Sequence, residues 1–245
     1  MKVQIVESSR KYVTDQQKQY KITIVKDGPY LVSGSVPLIE KIITPKGKSY
    51  IYKAGRTLSQ AGRYGLCRCG LSENPPFCDG AHREAGFTGD ETASKEPYDQ
   101  RTELFVGPEL DVYDDHRCAL ARFCHREQGS VWKLVKESDH PEYRQEVIEG
   151  SIQCPAGRLT VRDKQGNLIE PSLEPEIEVL QDPEKGVSGP LYVKGNIPII
   201  SADGELYEIR NRVTLCRCGQ SKNKPFCDAA HIAAGFSDGF SGDGE

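Results

Sequence analysis

Long apolar runs, methionine and tryptophan are all scarce in this chain, which has one Met and one Trp among 245 residues. No stretch approaches the roughly 18 apolar residues that a membrane-spanning helix needs, so no membrane association is expected. The N-terminus lacks the apolar core of a secretory signal, which predicts a reducing, cytoplasmic location. Basic residues are not in excess either, because 32 Lys and Arg face 36 Asp and Glu. This balance disfavours nucleic acid as a partner.

The motifs of common substrate-turnover sites are missing as well. The chain has no Gly-rich dinucleotide loop, no phosphate-binding P-loop and no nucleophile with the surroundings of a catalytic triad. We therefore do not expect an enzyme with a turnover site of its own. An oxidoreductase subunit whose substrate site lies on another protein remains an alternative.

Cysteine, by contrast, is plentiful, and its nine copies fall into three groups of three. The groups are Cys67, Cys69 and Cys78; Cys118, Cys124 and Cys154; and Cys216, Cys218 and Cys227. In a reducing compartment, clustered cysteines bind metal more often than they pair with each other. The sequence therefore predicts metal centres.

The first and third groups are copies of one motif, C-x-C-x2-S-x3-P-x-C-D-x2-H. Each copy ends in a histidine, which is His82 in the first and His231 in the third. The similarity extends upstream, where the segments 28–34 and 189–195 resemble each other. A repeat of this kind indicates that one structural unit occurs twice in the chain.

Three thiolates and one imidazole suit a [2Fe–2S] cluster, which takes two ligands on each iron. Cys67 and Cys69 can bind one iron from an extended loop. Cys78 and His82 would share one face of a helix that starts at Pro76, and they can bind the other iron. A structural zinc site stays open, because three Cys and one His are also an ordinary zinc set.

Other residues recur in both copies of the motif. Arg68 and Arg217 stand between the paired cysteines, and we expect them to be solvated on the surface. The alternative is that they screen the charge of a cluster or bind an acidic partner. Asp79 and Asp228 follow the third cysteine. We expect these carboxylates either to accept hydrogen bonds within the cysteine loop or to stabilise the first turn of a helix.

Both copies resemble the CDGSH iron–sulfur family of mitoNEET-like proteins. The first copy fits the family motif at every defining position, whereas the second has Ala229 where the family usually has Gly. The resemblance implies a redox-active [2Fe–2S] cluster at each motif, in β-rich units that pair as dimers or pseudo-dimers. We therefore expect the two units to pair within the chain. The implied ligands are Cys67, Cys69, Cys78 and His82 in one unit and Cys216, Cys218, Cys227 and His231 in the other.

The middle group shares part of the bacterial ferredoxin pattern C-x2-C-x2-C with a distant C-P. Cys118, Cys124 and Cys154 match the first, third and last cysteines of that pattern, and Ala121 stands at the middle position. A methyl group cannot bind iron. Three thiolates without a fourth predict a [3Fe–4S] cluster.

The middle segment also resembles the divergent single-cluster ferredoxin-like domain found beside CDGSH motifs. The resemblance rests on His116, the cysteines, Trp132 and the run 154–159. It implies a [4Fe–4S]-type cluster, for which His116 or His125 would have to supply the fourth ligand. Zinc or no metal remains a further alternative, and Trp132 is expected in the core.

Together these segments predict a β-rich α+β fold of three parts. Residues 1–90 form one CDGSH-type unit, 91–165 a small ferredoxin-like α+β domain, and 166–245 the second CDGSH-type unit. The leading hypothesis is electron transfer through three clusters to an unidentified redox partner protein. Cluster storage, or cluster transfer to an apo iron–sulfur acceptor, comes second, and a zinc-stabilised interaction module comes third.

Overall fold

The computed structural model describes residues 3–6, 20–58 and 61–240, and strands dominate it. The strands are Val3–Val6 (β1), Lys21–Ile24 (β2), Tyr30–Ser33 (β3), Leu38–Lys46 (β4), Ser49–Thr57 (β5), Arg63–Leu66 (β6), Glu103–Val106 (β7), Leu110–Asp114 (β8), Leu159–Asp163 (β9), Leu168–Pro171 (β10), Glu176–Asp182 (β11), Val187–Lys194 (β12), Ile199–Ile200 (β13) and Arg212–Leu215 (β14). The helices are Ala81–Glu84 (α1), Val131–Leu134 (α2), Pro141–Ile152 (α3) and Ala230–Ala233 (α4). Short 3-10 turns lie at Tyr98–Gln100, Val135–Glu137 and Pro183–Lys185. The expectation of a β-rich α+β fold is confirmed.

The two repeat units exchange a strand with each other. Strands β2, β3 and β6 of the first unit form a sheet with β13 of the second, in the order β13-β2-β3-β6. Strands β11, β12 and β14 of the second unit form a sheet with β4 and β5, in the order β14-β12-β11-β4-β5. In both sheets the incoming strand runs parallel to its neighbour, with Ile199 opposite Ile22 and Ile177 opposite Leu38. The reciprocal exchange relates the units by a pseudo-two-fold axis.

One apolar core is shared by the two units. Strand β3 alternates between buried and half-buried residues, as expected of a strand with one face on a core. The shared core contains Tyr30 and Leu66 from the first unit and Leu191 and Leu215 from the second, all of them at most 1% exposed. Each such side chain contributes roughly 1.5–3 kcal/mol by its burial. Because the core is joint, neither unit closes a core of its own.

The middle domain covers the other face of the second unit. Strands β11 and β12 are buried along nearly their whole length. Leu180 and Tyr192 turn away from the shared core and pack with Phe123 of the middle domain. The ring of Tyr52, from the β4–β5 hairpin, stacks on Phe123 with centroids 4.2 Å apart. The hairpin of the first unit therefore helps to hold the middle domain against the second.

The middle domain is a five-stranded antiparallel sheet packed against α2 and α3. The strand order is β1-β10-β9-β8-β7, so the sheet also takes in β1 and β10 from outside residues 91–165. Its core joins Val112 and Val161 of the sheet to Val131 and Val147 of the helices. Helix α3 begins with a proline, whose missing N–H costs nothing in the first turn. No helix of the described residues has the length and apolar character to cross a bilayer.

The polar composition of segment 89–102 predicts a linker, but hydrogen bonds hold this segment against neighbouring parts of the protein. The N–H groups of Thr92 and Ala93 donate to the carbonyl of Lys224 at 2.9 and 3.0 Å. The hydroxyl of Tyr98, which is 4% exposed, lies 2.8 Å from the carbonyl oxygen of Arg158. The connection thus ties the middle domain to the second unit.

Candidate metal centres

The repeated motif brings its predicted ligands together in two pairs. In the first unit, Cys67 Sγ lies 3.7 Å from Cys69 Sγ, and Cys78 Sγ lies 3.5 Å from His82 Nδ1. The second unit repeats this arrangement. The Sγ atoms of Cys216 and Cys218 are 3.6 Å apart, and Cys227 Sγ is 3.5 Å from His231 Nδ1. In both units Nδ1 is the imidazole nitrogen that faces the thiol.

Backbone hydrogen bonds bring the two halves of each motif together. Cys67 directly follows β6, and its N–H donates to the carbonyl of Pro76 at 2.8 Å. The N–H of Cys78 donates back to the carbonyl of Gly65 at 2.9 Å. Segment 76–78 is therefore extended along β6, and the helix predicted to start at Pro76 begins only at Ala81. That prediction was wrong, because pairing with the strand outcompetes the helix.

A left-handed residue therefore brings the histidine to the third cysteine. Gly80 has φ 100° in the first unit, and Ala229 has φ 70° in the second. These residues precede α1 and α4 and turn the chain so that His82 and His231 come back toward the cysteines. No atom lies within 4 Å of a Cβ built on Gly80. The alanine of the second motif is therefore accommodated in space, and its cost is confined to backbone strain.

Two further residues of the motif hold the loop closed. Asp79 accepts hydrogen bonds from the N–H groups of Ala81 at 3.0 Å and Glu73 at 2.7 Å, which lower the pKa of its carboxyl. Both predicted roles of this carboxylate are thus met by one side chain. Ser72 donates to the carbonyl of Phe77 at 2.6 Å. Sequence reasoning assigned no role to this serine, although its recurrence as Ser221, with the same bond at 2.7 Å, was a usable signal.

The three middle cysteines line one hollow, which is open to solvent on one side. Cys118 and Cys124 lie on the loop between β8 and α2, and Cys154 follows the end of α3. Among the described residues that line the hollow, these three thiols are the only ligands that suit a metal ion. His116 and His125 are exposed and do not line it, so the structure does not place either near the missing fourth corner.

Ala121 and Trp132 occupy different surroundings in the middle domain. Ala121 lies in the wall of the hollow and also packs against Phe123. The half-buried Trp132 packs against the domain core, as expected, and its Nε1–H donates to Asp114 at 2.9 Å.

Family models match most of the segments just described. Residues 27–83 and 188–232 match the family described as iron-binding zinc finger CDGSH type, and residues 105–164 match the divergent 4Fe-4S mono-cluster family. The chain contains two CDGSH-type domains that flank a divergent 4Fe–4S domain. The resemblance drawn from the motifs is thereby confirmed. No curated protein and no solved structure matches the chain.

The donor atoms of each domain suit an iron–sulfur cluster. At each CDGSH site the ligands form two pairs, which matches two ligands on each of two irons. Backbone N–H groups also point at sulfur in all three domains. Gly70 donates to Cys67 Sγ at 3.3 Å, Ala229 to Cys227 Sγ at 3.4 Å and Leu120 to Cys118 Sγ at 3.3 Å. Such bonds stabilise the thiolate form that binds iron.

The arginine of each CDGSH motif is buried, which corrects the expectation of a solvated side chain. Arg68 is 1% exposed and donates to the carbonyls of Val25, Gly28 and Gly89 at 2.8–3.1 Å. Arg217 is 2% exposed, donates to two carbonyls in the same way and also binds the carboxylate of Asp238 at 2.5 Å. Arg68 thus anchors its cysteine loop to the β2–β3 turn and to the segment after α1, and Arg217 anchors its loop to strands β11 and β12.

Burial favours the neutral form of several ligands when no metal is bound. It raises the pKa of Cys69 to about 11 and that of Cys124 to about 12. Metal binding must therefore release the protons of these two thiols. Burial lowers the pKa of His231 to about 4, which leaves its imidazole neutral at physiological pH with a lone pair available for iron.

The two CDGSH sites differ in their exposure to solvent. Cys78 and His82 of the first site are half-buried. At the second site Cys227 and His231 are each 3% exposed, and Cys216 is 1% exposed. The first site therefore reaches the surface, whereas the second is enclosed.

Proposed function

We propose that this protein transfers electrons through two three-Cys-one-His [2Fe–2S] clusters and one ferredoxin-type cluster. The observation that carries the proposal is the repeated pairing of the ligands, at 3.7 and 3.5 Å in one CDGSH site and 3.6 and 3.5 Å in the other. A zinc site would gather all four ligands around one ion. No three Cys, His, Asp or Glu side chains are gathered in this way among the described residues.

The chain's own residues set the properties of each proposed centre. A bound [2Fe–2S] cluster would supply one-electron redox chemistry. A neutral imidazole in place of a thiolate removes one negative charge and raises the reduction potential. The ligands of the second site are shielded from solvent, and each cysteine loop contains a buried arginine. These features favour an electron acceptor of moderate potential.

For the middle domain we propose a [3Fe–4S] cluster, with [4Fe–4S] as the alternative. Three thiols line the hollow, and Ala121 stands in its wall where a ferredoxin has the cysteine for a fourth iron. A four-iron cluster at this site would need a ligand from beyond the lining of the hollow, because the described lining offers no further side chain that binds iron.

A second candidate function is cluster storage or transfer to an apo iron–sulfur protein. It is favoured by the partial exposure of Cys78 and His82, which would let an acceptor thiol approach the first site.

The redox partner in the leading proposal is a one-electron carrier protein of the cytoplasm.

The deciding experiment measures iron, acid-labile sulfide and zinc in anaerobically purified protein, together with its electronic and EPR spectra. About seven irons per chain, no zinc, and reversible one-electron reduction of all three centres would support the leading proposal. Colourless, zinc-containing protein would overturn it. Transfer of iron and sulfide to an apo-ferredoxin faster than electron exchange with a redox carrier would favour the second candidate.

A further inference from the structure

The cysteine loops of the two CDGSH sites touch each other across the pseudo-two-fold axis. A Cβ built on Gly70 would lie 2.7 Å from the carbonyl oxygen of Cys218 and 3.0 Å from its Cα. Gly219 has the reciprocal relationship to Cys69, and both glycines have positive φ. The backbones that follow the paired cysteines are therefore in van der Waals contact, with no side chain between them.

The second CDGSH site also touches the middle domain. Cys227 packs in one small apolar cluster with Ala119, Ala156 and the partly buried Cys154. Ala119 is adjacent to Cys118, and Ala156 lies two residues after Cys154. Cys227, a ligand of the second site, thus packs in the same cluster as Cys154, a ligand of the middle site. The other members of the cluster are alanines that lie next to or near the middle ligands.

Solvent exposure distinguishes the second site from its two neighbours. The paired cysteines and the histidine of the second site are enclosed. The first site is open at Cys78 and His82, and the middle site is open beside Leu120, which is 45% exposed. A protein partner can therefore approach the first and middle sites more closely than the second.

We propose that the second CDGSH site is an internal relay that carries single electrons between the middle site and the first CDGSH site. This inference rests on the proposed electron-transfer function. The rate of electron transfer falls steeply with the distance between two centres. The second site contacts both other sites and is shielded from solvent, so electrons pass through it. The first and middle sites then serve as the two ports for external partners.

Each step of the relay is a one-electron exchange. With clusters held by the three middle cysteines and by the two CDGSH motifs, a one-electron protein donor would be oxidised as it reduced the middle site, which would then pass one electron to the second CDGSH site. The second site would pass one electron to the first, which would deliver it to a one-electron protein acceptor. No bond is made or broken, and no proton moves. The same sequence can run in reverse if the donor docks at the first site.

The repeated motif offers a matched pair of variants for the test. Cys67→Ser with Cys69→Ser removes the first site, and Cys216→Ser with Cys218→Ser removes the second. Each variant is reduced with dithionite, and the spin-relaxation rate of its remaining [2Fe–2S] EPR signal is measured. A paramagnetic middle cluster that lies nearby increases this rate. We expect fast relaxation when the first site is missing and slow relaxation when the second site is missing. Equal rates in the two variants would overturn the relay.

A second measurement uses only the wild-type protein and so does not depend on the variants folding. A soluble gadolinium chelate is added to the reduced protein as an external relaxing agent. We expect two [2Fe–2S] populations, of which the slowly relaxing one responds to the chelate and the rapidly relaxing one does not. A single population that responds uniformly would contradict the relay. Absence of any [2Fe–2S] signal in the wild type would instead contradict the proposed function itself.

Discussion

Ala229 adopts at φ 70° the left-handed conformation that Gly80 adopts at φ 100° in the other CDGSH unit. The two positions are equivalent in the repeat, and the space around Gly80 would accept a methyl group. The chain thus contains both versions of one turn, which differ only in the backbone strain that a Cβ imposes.

The first prediction concerns two single substitutions, one at each of these positions. Ala229→Gly should raise the free energy of unfolding by about 1 kcal/mol, because it removes the strain of a left-handed alanine. Gly80→Ala should lower it by a similar amount. Denaturant unfolding of both single variants measures the two effects. A loss of several kcal/mol in Gly80→Ala would show that the turn needs glycine for a reason other than φ.

The second prediction concerns the contact between the cysteine loops. Gly219→Ala should destabilise the protein by roughly 3 kcal/mol, since the methyl group combines left-handed strain with a collision against the Cys69 carbonyl. Gly235→Ala is the matched control, because Gly235 has φ 57° and no atom lies within 4 Å of the methyl group that this substitution adds. Thermal unfolding should show the control losing only about 1 kcal/mol. Equal losses would disprove the loop contact.

The third prediction follows from the ion pair between Asp238 and Arg217. Burial alone would raise the pKa of Asp238, but the charge of Arg217 and hydrogen bonds from Ser188 and Gln181 outweigh it and hold the pKa at about 2. Since an unfolded Asp titrates near 3.9, the carboxylate contributes about 2 kcal/mol of stability above that pH. The contribution is lost as the pH falls from about 4 towards 2.

Asp238→Asn tests this electrostatic contribution. The variant should unfold more easily at pH 7 by about 2–4 kcal/mol, because Arg217 is left buried without its counter-charge. The difference from wild type should narrow below about pH 4. Asp99→Asn is the control, since Asp99 pairs with Arg162 while 61% exposed and should cost less than about 1 kcal/mol. A difference that does not depend on pH would refute the assignment.

The fourth prediction replaces the histidine ligands. His82→Cys and His231→Cys should each retain a cluster and lower its reduction potential by on the order of a hundred millivolts, because a thiolate adds negative charge. In a spectroelectrochemical titration, each variant should shift the potential of the [2Fe–2S] centre whose histidine is replaced. The potential of the other [2Fe–2S] centre should change less. Unchanged potentials in both variants would mean that neither histidine is a ligand.

The fifth prediction concerns the fourth corner of the middle site. Oxidised [3Fe–4S] clusters are paramagnetic, whereas oxidised [2Fe–2S] and [4Fe–4S] clusters give no EPR signal. Anaerobic wild-type protein should therefore show a sharp signal when oxidised, and Ala121→Cys should abolish it by completing a four-iron cluster. Four irons in the middle site of the wild type would disprove the three-iron assignment.

The ligand pairs could be predicted from the sequence because each motif is local. Cys67 and Cys69 are separated by one residue, and the motif that leads from them to His82 is short enough to form one site. The burial of Arg68 could not be predicted in this way. Its partners are backbone carbonyls, including Val25 and Gly28 in a loop far back along the chain, and carbonyls leave no trace in a sequence pattern.

Long-range pairing explains the other differences from expectation. The segment after Pro76 was predicted as helix from local signals, but the hydrogen bonds to β6 keep it extended. The repeat indicated two similar units, yet nothing in either copy indicated that β4 would pair with β11 or β13 with β2. Such pairings depend on the joint core, to which residues from both ends of the chain contribute.

The strand exchange also sets an order of events during synthesis. Strand β2 lies near the start of the chain, but its parallel neighbour β13 ends at Ile200. The first CDGSH unit must therefore leave the ribosome and wait, with its sheet incomplete, until most of the chain has been translated. During that interval the shared core and the contact between the two cysteine loops cannot form, because both need residues of the second unit.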